Sequence, residues 1–81
     1  MPSIKARGWR LVVIPGDHEP RHVHARHGVV DALEVVFRLN ADKTVTLREA
    51  DRELTRRQIR DAGELVIEHF AELEELWEKY C

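Results

Sequence analysis

The heptapeptide Arg21-His22-Val23-His24-Ala25-Arg26-His27 alternates between polar and small apolar side chains. A two-residue period is the mark of a β-strand with one buried face. Val23 and Ala25 then point to a core, and His22, His24 and Arg26 point the other way. The segment therefore predicts a strand over 21–27 whose outer face carries titratable groups, and the remaining chain must supply its neighbours.

Upstream, Trp9 to Ile14 is β-branched and aromatic and stops at Pro15-Gly16-Asp17, which gives a strand over 9–14 followed by a turn. Downstream, Gly28 ends the alternation, and Val35, Val36, Phe37 and Leu39 lie in a strand expected over 31–39. Asn40-Ala41-Asp42-Lys43 has hairpin chemistry, because Asn and Asp tolerate the left-handed backbone and bond their own neighbours. A return strand over 44–48 follows. Thr55 and Gln58 have the spacing of a capping box. Beyond them Ile59, Gly63, Val66, Phe70, Leu73, Trp77 and Tyr80 recur at steps of three and four, with Ala62 and Ile67 beside them, so a helix over 56–80 with one apolar stripe is expected. Gly63 within the stripe marks either close packing or a break between two helical pieces. Burial along one stripe does not offset the entropy of ordering such a segment, so the helix must share a core with the strands. The expected fold class is α+β: a single domain over 1–81, with a small antiparallel sheet of three to four strands and a C-terminal helix packed on one face.

Composition bounds the function. With 81 residues the chain makes one small domain, and no apolar run approaches the roughly 18 to 20 residues of a membrane span. The first residues, Met1-Pro2-Ser3-Ile4-Lys5, lack a secretory apolar stretch, and a lone Cys81 permits no internal disulfide and no cysteine-based zinc ribbon. A cytoplasmic location is expected. The net charge of -2 conceals a polarity. Residues 1–30 hold five basic against two acidic side chains, whereas residues 61–81 hold one basic against seven acidic. A basic front suits an anion, and an acidic tail suits either a basic partner or a solvated helix face.

Five histidines are the compositional excess, and His18, His22, His24 and His27 fall within ten positions. Three readings compete. In the first, His22 and His24, about 6.5 to 7 Å apart along one strand face, flank a phosphodiester as general acid and base. His18 is then the alternate acid or base, and Arg21, Arg26 and Lys5 bind phosphate. In the second, His18, His22 and His24 chelate a divalent transition metal, with Asp17 or Glu19 completing the shell. In the third, the histidines pack, cap turns or face solvent. That last account suits His27, whose parity places it on the Val23 face, and His69 at the edge of the helical stripe.

Pro2-Ser3-Ile4, Gly8-Trp9-Arg10, Asp17-His18-Glu19-Pro20-Arg21-His22-Val23-His24 and Glu75-Leu76-Trp77-Glu78 together resemble the small bacterial family known as domain of unknown function 4160. The family pattern places a second proline where Arg21 stands, an aromatic residue at Val23 and a valine at Ala25. The resemblance implies a hairpin followed by a C-terminal helix, and a toxin-antitoxin-like arrangement with a neighbouring small protein. The favoured expectation is accordingly a toxin-antitoxin-type protein without a cofactor that binds RNA phosphate through its histidine-arginine strand; the residues leave open whether it cleaves the RNA as a metal-independent ribonuclease. The alternative is a non-enzymatic transition-metal-binding or protein-interaction module using the same histidines. RNA, a cognate antitoxin-like protein and a second copy of the chain are the partners considered, with no membrane.

Overall fold

The computed structural model describes residues 2–28 and 33–81. Five strands, β1 (Ser3–Ala6), β2 (Trp9–Val12), β3 (His22–His27), β4 (Leu33–Leu39) and β5 (Val45–Ala50), form one antiparallel sheet in sequence order. Two helices follow, α1 (Arg56–Glu68) and α2 (Phe70–Tyr80). The α+β class and the helical cover on one face agree with expectation. The three-to-four-strand sheet and the single helix do not.

The additional strand is β1. Its pairing puts Ala6 opposite Trp9, so Arg7 and Gly8 alone make the turn, with φ of 46° and 80°. Positive φ at both central residues is the hairpin geometry that follows the right-handed strand twist. Only Ile4 and Ala6 of β1 pack toward the core, and so short an apolar alternation carries little sequence signal. β2 ends at Val12 rather than residue 14, and β5 runs over 45–50 rather than 44–48. Of the strand expected over 31–39, residues 31 and 32 lie outside the described residues.

The expected helix over 56–80 breaks at His69, whose φ of -104° and ψ of 19° leave the helical region. The backbone ladder nevertheless continues, with the His69 amide donating to Leu65 O and the Leu73 amide donating to His69 O. Gly63 is not the break. A Cβ at Gly63 would stand 3.4 Å from the Phe37 ring, so this glycine marks close packing of α1 on β4. Thr55 and Gln58 make the reciprocal capping box.

The core lies between the sheet and the helices. Leu11, Val23, Ala25, Val35 and Phe37 meet Leu65, Val66, Phe70, Leu73 and Trp77. Leu65 takes an inner position that the stripe did not include, while Ile67 is 53% exposed. Ion pairs then fasten the helices to the sheet: Arg7 to Glu68, Arg21 to Glu74 and Glu78, and Lys43 to Glu74. Part of the acidic tail thus finds its basic partners within its own chain. No helix among the described residues is long and apolar enough to cross a membrane.

Candidate metal centre

Register assigns the two sheet faces. Leu11 is opposite Ala25, and Ala25 is opposite Val35, all on the helix side. The adjacent row runs Ser3, Val12, His24, Val36 and Glu49 on the other side. Val12 is fully buried and Val36 nearly so, giving His24 an apolar neighbour on each side. The segment after β2 folds back toward this row, which brings the Asp17 carboxylate against His22 and His24.

The polarity of the imidazoles follows from their other partners. His22 Nδ1 is 2.9 Å from Pro20 O, a carbonyl that can only accept, so Nδ1–H is the donor. His24 Nδ1 is 3.0 Å from Glu34 Oε1. Partial burial pushes the Glu34 carboxyl up, but hydrogen bonds from His24 and Arg26, together with their charge, more than offset this and hold it below its ordinary range. Glu34 is therefore an ionised acceptor, and His24 Nδ1–H also donates. With Nδ1–H as the donor, a neutral ring at either position presents a lone pair at Nε2.

Both lone pairs converge on a third acceptor. His22 Nε2 is 3.0 Å and His24 Nε2 is 3.4 Å from Asp17 Oδ2, and the three ligand atoms all lie within 4.8 Å of one another. Asp17 Oδ2 and His24 Nε2 are buried and receive no hydrogen bond. Two buried acceptors without a donor, with the His22 nitrogen beside them, are costly unless a cation sits between them. Zinc bonds to nitrogen and oxygen of about 2.0 to 2.2 Å put two ligands roughly 3 Å apart at octahedral angles and about 3.4 Å apart at tetrahedral ones. The two nitrogen-to-oxygen separations fall in that range. Glu34 and the Pro20 carbonyl complete the pattern, because metal-bound histidines donate their second ring N–H to such groups. Two imidazoles and one carboxylate suit a divalent transition metal with open coordination positions.

The trio lines a cavity of about 360 Å³ together with His18, Glu19, Pro20, Val36, Arg48 and Glu49. A β-bulge explains how β5 contributes adjacent residues. Val36 pairs with Glu49 and Phe37 with Leu47, which leaves Arg48 as the extra residue. A bulge re-aims side chains, and here Arg48 and Glu49, which a regular strand would point to opposite faces, line the same cavity.

The other sequence-predicted residues are dispersed. His18 shares the cavity but is not among the three converging ligands. Arg21 is turned to Glu19, Glu74 and Glu78, and Arg26 to Glu34. Lys5 and Arg26 line a different concavity, at the β1–β2 turn. His27 packs on Trp9, with ring centroids 4.6 Å apart, on the side its parity indicated. His69, at the helix junction, lies 3.2 Å from Glu72. Sequence reasoning missed Glu34 and Arg48. The signal for Glu34 is the β3–β4 register, which sets it opposite Arg26, and the signal for Arg48 is a bulge that no local pattern announces.

The family model described as Domain of unknown function (DUF4160) matches residues 8–78. No curated protein and no solved structure matches the chain.

Proposed function

The chain belongs to this domain family of unknown function, and from its geometry we propose a metal-binding protein in which Asp17, His22 and His24 hold a divalent transition-metal ion. The observation that carries this reading is the convergence of three ligand atoms, two of which, Asp17 Oδ2 and His24 Nε2, are buried without a hydrogen-bond partner. His18, on the wall of the same cavity, is the nearest candidate for a fourth ligand by sequence and by lining. When bound, the ion would polarise an oxygen ligand at an open position. The chain's own residues orient the ligands: Glu34 and the Pro20 carbonyl bond the rings, and the buried Val12 and Val36 flank His24 on the neighbouring strands.

Metal analysis and calorimetric titration of protein purified without a histidine tag test this. One zinc, cobalt or nickel ion per chain is expected, and it should be lost in a His22→Ala, His24→Ala double variant that remains folded. Absence of stoichiometric binding of each of these ions by the wild-type chain would refute the metal reading.

A second reading keeps the histidines as a metal-free acid and base acting on RNA phosphate, in a toxin-antitoxin-type protein. The observation that favours it is the edge-on His22 and His24 pair, ring centroids 5.2 Å apart, in a cavity also lined by Arg48. It ranks second because both Nε2 atoms face Asp17 and because Arg21 and Arg26 already hold carboxylates. RNA cleavage that persists in chelator and disappears in the double variant would reverse the ranking.

A further inference from the structure

The carboxylate that bonds the His24 ring is itself held in place. Glu34 Oε1 is 3.0 Å from His24 Nδ1, while Glu34 Oε2 accepts a hydrogen bond of 3.0 Å from Arg26 Nε. Each partner has an oxygen of its own, so the carboxylate bridges two residues that stand two apart on β3. Register supplies the geometry, because the β3–β4 pairing sets Arg26 directly opposite Glu34. The backbone of Glu34 is fixed from the other side. Its amide donates to Asp51 Oδ2 at 2.9 Å, and its carbonyl accepts from the Asp51 amide at 3.0 Å, at the end of β5.

We infer that Arg26 is a positioning residue of the metal centre, acting on His24 through Glu34, with Asp51 anchoring the Glu34 backbone. The assignment rests on the reading of Asp17, His22 and His24 as ligands and adds to it the groups that aim the His24 ring. The terminal torsion of a glutamate is soft, so a carboxylate bonded at one oxygen alone still rotates. A charge-assisted bond at the second oxygen, from the strand that carries the histidine, removes that freedom. Outer partners of this kind orient the ligating ring and are worth about 10- to 100-fold in metal affinity.

The sign of the effect separates positioning from simple electrostatics. Arg26 is a fixed positive charge two residues from a ligand, and it repels a cation bound there. By Coulomb's law alone, neutralising Arg26 tightens metal binding. By positioning, the same change weakens it, because Glu34 then holds the imidazole less firmly.

Cobalt titration of tag-free protein, followed by visible absorption with folding checked by circular dichroism, distinguishes the two. Arg26→Gln should lower cobalt affinity about tenfold and alter the cobalt bands, since a re-aimed ring changes the ligand field. Arg7→Gln removes a cation that is bonded to Glu68 on the β1–β2 turn, and should bind like wild type. Adding Arg26→Gln to Glu34→Gln should cost no more than about a further twofold, because the route through Glu34 is already broken. Asp51→Ala, an exposed substitution that removes the acceptor of the Glu34 amide, should weaken binding in the same direction and reports on the same carboxylate if Arg26→Gln does not fold. Cobalt affinity equal to or tighter than wild type in either folded variant, or a fully additive loss in the double variant, would overturn the inference and leave the metal reading standing. A wild type that binds no cobalt would overturn both.

Discussion

The two faces of the sheet are built from the same strands and obey opposite rules. On the helix side, Leu11, Val23, Ala25, Val35 and Phe37 are closed off by Leu65, Val66, Leu73 and Trp77, and the face is apolar. On the far side the alternate residues of those strands include His24, Arg26, Glu34 and Arg10, which stand among a cluster of possible metal ligands and a row of charged side chains. Val12 and Val36 show that this face is not simply the wet one, since both are buried beside His24. The difference separates stability from function. The helix face supplies burial, while the far face holds two buried acceptors, Asp17 Oδ2 and His24 Nε2, in an arrangement that costs free energy unless a ligand joins them.

Substitutions should respect that division. Leu73→Ala, at a fully buried position on the helix face, is expected to lower unfolding free energy by about 2 to 5 kcal/mol in urea titrations. Metal affinity of the folded fraction should be unchanged; a parallel loss would mean that the faces are coupled. On the far face, Glu34→Gln should weaken metal binding by about 10- to 100-fold through loss of its carboxylate bond to the His24 ring. Unaltered affinity would remove Glu34 from the centre.

Smaller effects sharpen the contrast. Gly63→Ala places a methyl group 3.4 Å from the Phe37 ring, at the near edge of ordinary contact, and raises helix propensity. A gain of up to about 1 kcal/mol is expected by thermal or urea unfolding, without change on the far face. A loss would show that Phe37 cannot yield. The least effect is at the β4–β5 turn. There hydrogen bonds from the Thr44 side chain and backbone lower the pKa of the exposed Asp42. A folded-state pKa below the unfolded one contributes stability above the unfolded value, and this is lost as pH falls through the folded one. Protection of the Thr44 amide in hydrogen exchange should therefore decrease on acidification through the carboxylate range, and Asp42→Asn should flatten that dependence.

How much of this is legible in the chain varies with the range of the interaction. The β3 alternation and the Thr55–Gln58 cap are local, and both appear where their spacing places them. β1 escaped because two inward residues make no pattern, and the helix break at His69 escaped because the apolar stripe continues through it. The pairing of His22 with His24 is a consequence of period two, so sequence reaches it. Asp17 approaches them only because a loop returns to the sheet, and Glu34 and Arg48 depend on register and a bulge. Arg21 was assigned to phosphate by adjacency to His22, but its parity turns it toward α2, where Glu74 and Glu78 hold it.

The central claim is that Asp17, His22 and His24 together bind a divalent transition-metal ion. Its most direct test is the unfolding temperature of tag-free protein titrated with zinc or cobalt, compared with Asp17→Asn and with His24→Ala. Ligand binding to the folded state alone stabilises by about 2.7 kcal/mol at a hundredfold excess over the dissociation constant, so wild type should show a saturable rise that both variants lack. A wild-type transition that no divalent transition metal moves, or a rise of equal size in both variants, would contradict the account.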